Sequence, residues 1–328
     1  MTTTDTLSDR TGAPVTVSPS VRETVFSWAV VLAGVTIPFL GLVAGVAAAV
    51  RYGWFSAVDL VLFLGMYVAT MLGLTVGFHR LFTHRSFEAA EPVQFALGVL
   101  GSMTFQGPLL EWVGRHRIHH RFSDRYGDPH SPHAPHRSGF WGRVRAFWHA
   151  HIGWALPADP PDLDRYAPDL RKSRMLRLVS DLFLVWALLG LALPAAIGYA
   201  FGGWPGALTG FLWGGLVRVL AGHHLTWCVN SVCHLWGSRP YRSSDESRNN
   251  AVIGVLALGE GWHNNHHAFP TSARHGFEWW QVDISYYLIR GLETLGLAWK
   301  VRTPSPETLT KSNVDAADGP CSEGRGAE

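Results

Sequence analysis

Charge is scarce in this chain: of 328 residues only 16% are Asp, Glu, Lys or Arg, and the formal net charge is +2. Neither a basic run nor a strong charge excess is present, which removes the electrostatic footprint of a nucleic-acid binder. Cysteine is scarcer still. Cys228, Cys233 and Cys321 form no C-x-x-C pair and no even set, so a disulfide framework and a cysteine-held iron–sulfur cluster are both excluded, and a reducing cytosolic face is compatible. The chain also lacks a Gly-x-Gly-x-x-Gly string, a His-Pro-Gly-Gly haem string and a His-Glu-x-x-His string. It therefore carries no dinucleotide or haem module of its own, and a metalloprotease is disfavoured.

What fills the sequence instead is apolar and aromatic: 47% hydrophobic residues, with fifteen Trp. This predicts an all-α integral membrane protein. Four stretches have the length to cross a hydrocarbon core about 30 Å thick: about Phe26–Val50, Val58–Phe78, Leu178–Phe201 and Pro205–Leu225. The fourth carries Arg218 and the pair His223-His224, and a charged residue within a span marks a site or snorkels to the interface. A fifth apolar stretch, Pro92–Leu110, is interrupted by Gly98, Gly101 and Gly107-Pro108 and is expected to lie along the membrane surface. Basic residues concentrate between His79 and Arg177, while the two hairpin loops hold only Arg51, so that middle segment and both termini are expected in the cytoplasm. Residues 1–24 and 303–328 are polar and are expected to be disordered, flanking one membrane domain over 25–302.

Seventeen histidines are present, and eight fall in three boxes: His79-Arg-Leu-Phe-Thr-His84, His116-Arg-Ile-His119-His120 and His263-Asn-Asn-His266-His267. Residues three and four apart share a helical face, so each H-x-x-H-H box is expected to aim its three imidazoles one way. Eight nitrogens exceed the needs of one four-coordinate zinc, and two metal ions are implied. His130, His133, His136, His149, His151, His223, His224 and His275 lack box spacing and are read as non-ligands. A histidine-rich dinuclear site at a membrane surface suits iron that activates O2, because a lipid chain offers only C–H bonds to react. Carboxylate-bridged di-iron bundles need two Glu-x-x-His strings, and here only Glu260-Gly-Trp-His263 occurs. Two other readings compete: a di-iron lipid hydroxylase, separable by its alcohol product, and a metal transporter, whose ligands would sit near the bilayer midplane.

The three boxes with their flanks, including Glu111-Trp-x-x-x-His116, Gly127-Asp-Pro-His-Ser-Pro and Gly259-Glu-Gly-Trp-His263, resemble the membrane fatty-acid desaturases of the stearoyl-CoA Δ9 type over about residues 60–290. The resemblance adds a ninth ligand, His234, and Asn230 acting through water, within Trp227-Cys-Val-Asn230-Ser-Val-Cys-His234. It implies His79, His84, His116, His119, His120, His234, His263, His266 and His267 as ligands of two iron ions, in four transmembrane helices under a cytoplasmic helical cap. Gln106, Trp112 and Thr226 would shape the bend of an acyl tunnel. The implied reaction uses O2 to place a cis double bond in a saturated acyl chain, with electrons from a separate donor: an NAD(P)H-dependent reductase, a ferredoxin or a cytochrome b5-like protein. Where acyl-CoA members read Trp-x-Arg-Asp, this chain reads Trp112-Val-Gly114-Arg115. The acyl-CoA head group is then expected on Arg115 and neighbouring arginines, with carrier protein or membrane lipid as alternative carriers.

Overall fold

The computed structural model describes residues 13–133, 139–156 and 159–314. Two capping boxes set the first pair of long helices. Ser20 and Glu23 cap α1 (Val21–Tyr52), which ends at Gly53 in the left-handed conformation (φ 66°). Ser56 and Asp59 cap α2 (Ala57–Leu72), which runs without a break into a π-helical segment, Gly73–Thr83. The wider π turn carries the first histidine box, and every residue in it is buried.

A two-residue strand β1 (Glu88–Ala89) precedes α3 (Glu91–Ser102) and α4 (Leu109–Phe122). At 12 residues, α3 is about 18 Å long, well short of a span. It lies against the π segment so closely that a Cβ on Gly73 would meet Gly101 N at 2.3 Å. Past α3 the chain turns through Phe105 (φ 61°) and Gly107 (φ 100°).

The chain continues with α5 (Gly139–His151), the short α6 (Leu163–Tyr166) and α7 (Arg174–Asp181). The expected third span, from Leu178, is corrected here. Residues 174–181 form their own amphipathic helix, capped by Ser173 and burying Leu176 and Val179, and the apolar helix α8 starts only at Phe183. α8 (Phe183–Gly210) continues through a second π segment (Phe211–Val217) into α9 (Arg218–Ser231) and a 3-10 turn ending at His234. By length and composition, three helices can cross a membrane: Val21–Tyr52, Ala57–Thr83 and Phe183–His234.

The third of these, 52 residues long, folds back on itself. Gly202 and Gly203 leave helical conformation, and the two limbs return at backbone contact: a Cβ on Gly198 would sit 2.1 Å from Gly206 O, and one on Gly210 2.3 Å from Pro194 O. Small residues also let α1 approach, with Gly41 against Leu216 and Gly45 against Trp213. This is how helices pack where lipid removes the hydrophobic drive for association.

After His234 come α10 (Ala251–Leu256), α11 (His263–Ala268), α12 (Ile284–Thr294), strand β2 (Ala298–Trp299) and α13 (Pro306–Ser312). The antiparallel β1–β2 pair is the one sheet among the described residues of this otherwise helical fold. Both flanks depart from the expected disorder. Residues 15–17 form a strap whose backbone bonds Pro160 and Asp162, and α13 leads into Asn313 and Val314, which pair with Tyr241 and Pro240. Residues 1–12 and 315–328, part of the same expectation, lie outside the described residues, as does His136.

A metal centre at the wall of an apolar cavity

Nine histidines from four segments meet in one cluster. His79 and His84 come from the first π segment and its end, His116, His119 and His120 from α4, His234 from the 3-10 turn, and His263, His266 and His267 from α11. They divide into two groups whose nitrogens lie within 4.8 Å of one another: His79, His84, His116, His120 and His266, and His119, His234, His263 and His267. This corrects the expectation that each box faces one way. On a helix His119 and His120 point about 100° apart, as do His266 and His267, so each H-x-x-H-H box gives its i,i+4 pair to one position and its remaining imidazole to the other.

The nitrogens converge as ligands would. Nε2–Nε2 separations are 3.1 Å for His79–His266, 3.0 Å for His266–His120, 3.0 Å for His120–His116 and 3.1 Å for His234–His263. Two imidazoles at right angles on an ion about 2.1 Å away would be about 3.0 Å apart. His84 Nε2, His119 Nε2 and His267 Nε2 are buried without a hydrogen-bond partner, a costly state that an ion relieves. Burial, reinforced by repulsion between neighbouring imidazoles, holds His84, His116, His120, His263 and His266 well below the ordinary imidazole range. Neutral imidazole is the ligating form. The donor set fits two metal ions of the kind imidazole suits, iron among them.

Behind the imidazoles stands a set of carboxylates to which the sequence reading gave no role toward the histidines. His79 Nδ1 meets Glu260 at 2.7 Å, His119 Nδ1 meets Asp128 at 2.9 Å, His234 Nδ1 meets Asp124 at 2.8 Å and His267 Nδ1 meets Asp245 at 2.5 Å. Each fixes the ring proton on Nδ1 and turns Nε2 toward the cluster. Burial would raise these acids, but their bonds to histidine and backbone outweigh it and hold Asp124, Asp128 and Asp245 far below the ordinary carboxylate range. Three of the four stand behind the four-imidazole group. Glu260 is in turn gripped by Arg80, fully buried, which also bonds Asp283 at 2.9 Å and Ala273 O at 2.7 Å. The asparagines of the third box are structural: Asn264 brackets Tyr241 through its N–H and C=O, and Asn265 donates to His275 O and Gln281 Oε1.

Two histidines set aside on spacing sit against the cluster. The His275 ring lies 4.5 Å from that of His266, tilted by 34°, and shares Glu260 with His79, while His130 lies 4.2 Å from His119 beside Asp128. His151 and His224 pair with each other at 3.1 Å, and His223 Nε2 meets Thr104 O at 2.9 Å, none of them at the cluster.

A cavity of about 550 Å³ reaches this centre, its wall including His79, His116 and His263 as well as Gln106, Trp112, Arg115, Thr226 and Asn230. Gln106 Nε2 donates to Thr226 Oγ1 at 2.9 Å, so α9 and the 103–108 turn are tied across it. Trp112 stacks on His116, their ring centroids 5.0 Å apart and planes at 18°. Asn230 lines the cavity alongside His263. Much of the remaining wall is apolar, with Met71, Leu74 and Ala257 close to the imidazoles in sequence.

The fatty acid desaturase pattern matches residues 52–292. A hex-5-enoyl-(acyl-carrier protein) acetylenase of Moorena producens is 40% identical over 275 residues, covering 83% of this chain and 85% of that one. An acyl-CoA C20 Delta5-desaturase of Anemone leveillei is 42% identical over 242 residues, 73% and 72% of the two chains. An sn-1 stearoyl-lipid 9-desaturase of Synechocystis sp. is 40% identical over 247 residues, 74% and 71%. With the histidine-rich centre, the apolar cavity and the membrane-length helices, these matches give one conclusion: the chain belongs to the fatty acid desaturase family.

Proposed function

We propose that this desaturase introduces a cis double bond, at position 9, into a saturated long acyl chain, with two iron ions as its metal. The observation that carries the reading is the cluster of nine imidazoles, three of which, His79, His116 and His263, stand in the wall of one apolar cavity. The reaction balances as two hydrogens leaving adjacent carbons, with O2, two protons and two electrons from a separate one-electron donor, to give the alkene and two waters. The nine imidazoles would hold the iron, which supplies O2 reduction and the power to break an unactivated C–H bond.

The protein's part is placement and protection. The apolar wall takes up the chain and excludes water, so that binding along its length decides which carbon faces the cluster. The Gln106–Thr226 bridge and Trp112, stacked on His116, line the cavity that reaches the cluster, and they are the proposed determinants of bond position. Asn230 is the proposed anchor of a water at the four-imidazole position. Glu260, Asp124, Asp128 and Asp245 keep four Nδ1 protons in place.

Four crossings follow when the two limbs of the third apolar helix are counted separately at Gly202-Gly203. The arginine-rich segment between residues 79 and 177 then puts the centre and both ends of the chain on the cytoplasmic side. Lipid analysis of a host expressing the chain, with double-bond location, tests the reaction; metal analysis of the purified protein tests the centre. A new alkene at carbon 9 and two irons per chain are expected. A hydroxylated lipid in place of an alkene would overturn the reading.

A further inference from the structure

The cavity has an unusual side wall. Phe26, Val30, Val31 and Gly34, on one face of α1, line it for about 13 Å of helix. α1 is a membrane-length helix whose first half is barely packed: Phe26 is 58% exposed, and across the cavity Leu184 is 42% exposed. A Cβ on Gly34 would meet nothing within 4 Å. On the cap side, by contrast, the strap runs over the cavity, Val17 N bonding Pro160 O at 3.0 Å, Asp162 N bonding Val15 O at 3.3 Å and Val15 N bonding Tyr166 Oη at 3.1 Å.

Charge at this end of the cavity is wrong for phosphate. Among the described residues, the charged side chains that line it, away from the metal centre, are Glu23, Glu111, Asp159 and Arg115. Arg115 lines this end together with Glu111 and Asp159, whose carboxylates already oppose its charge. A CoA or carrier-protein thioester would bring phosphate, and in the second case an acidic protein, to a rim with three carboxylates and one guanidinium. Like charge at an interface selects against such partners.

We propose that the acyl chain enters sideways from the bilayer, along the α1 face at Gly34, as an ester of a membrane glycerolipid whose headgroup is not polyanionic. This rests on the desaturase reading and names its substrate class; it replaces the CoA site expected at Arg115. The bilayer already aligns such a chain with α1, and the strap need not open.

The test uses the full chain in lipid nanodiscs, with ferredoxin, its reductase and NADPH as electron source. The same stearoyl chain is offered as a galactosyl diacylglycerol within the disc, as stearoyl-CoA and as stearoyl-carrier protein. Desaturation of the lipid-bound chain alone is expected. Gly34→Leu, which projects into the open side, should lower that turnover about tenfold or more by overfilling the passage, with metal content and thermal unfolding unchanged; Gly34→Ala should keep most of it. Thioester turnover matching or exceeding that of the lipid overturns the proposal, as does full lipid turnover in Gly34→Leu. No product in any arm, from a protein with its metal in place, would sink the desaturase reading itself, a failure distinct from either of these.

Discussion

Asp124 and Asp128 offer a paired test of the carboxylates behind the metal centre, because the same change has different consequences at the two. Asp124 Oδ2 accepts from His234 Nδ1 and Glu246 N, both at 2.8 Å, while Oδ1 accepts from the Ser131 hydroxyl at 2.7 Å. In Asp124→Asn the amide oxygen can keep both N–H donors and the amide NH2 can donate to Ser131, whose hydroxyl rotates. Geometry survives and only the charge is lost. Loss of such an outer partner costs about 10- to 100-fold in metal affinity, or about 1.4–2.8 kcal/mol. At Asp128 every acceptor position faces an N–H: His119 Nδ1 at 2.9 Å and His130 N at 3.1 Å on Oδ1, and Asp124 N at 2.9 Å on Oδ2. There Asp128→Asn must point an amide donor at a donor, adding about 1–3 kcal/mol of buried mismatch. Metal titration of chelator-stripped protein, with thermal unfolding beside it, should show Asp124→Asn folded but weakened at the four-imidazole position, and Asp128→Asn weaker still and less stable. Wild-type affinity in Asp124→Asn would refute the role given to these acids, and equal loss of stability in both would refute the hydrogen-bond argument.

Three further outcomes are expected. His266→Ala removes the Nε2 that meets both His79 and His120, so metal analysis should show loss of iron together with activity while the protein stays in the membrane; full activity would remove His266 from the ligand set. Thr226→Val removes the acceptor of the Gln106 amide, and gas chromatography of host fatty acids should show a shifted bond position or chain-length preference, an unchanged product pattern reducing the pair to packing. Burial acts to raise Asp169, but the hydrogen bond and charge of Arg117, with Arg85, hold it down at about 2. Its folded value lies below the unfolded one of about 3.9, so its contribution to stability is present above that pH and is lost as pH falls toward 2. Melting temperatures of Asp169→Asn should therefore match the wild type at acid pH and fall below it near neutrality, and equal curves throughout would show that the ion pair does not contribute.

The boxes and the apolar runs were legible because each is local. The H-x-x-H-H spacings need only the geometry of one helix to be read. The start of the third apolar helix was misplaced for a related reason. Leu178 belongs to an apolar run in the sequence, yet Ser173 caps a separate amphipathic helix there, with Leu176 and Val179 turned inward. The flanks were read as disordered from their polar composition, but backbone pairing of Val15 and Val17 with the 160–162 segment does not depend on side-chain polarity.

The sequence by itself determined that this is a helical membrane chain with eight clustered imidazoles, since length, hydropathy and helical period are properties of contiguous residues. Only the tertiary structure decided which imidazoles share a metal position, because that depends on where α4, α11, the π segment and the 3-10 turn cross, and a rotation of about 100° between neighbours sends His119 and His120 to different groups. The same holds for the acids. Asp245 lies 22 residues from His267 and Asp124 lies 110 from His234, separations that carry no periodic signal, and the pairs are made only when a buried Nδ1–H needs an acceptor and the fold supplies one.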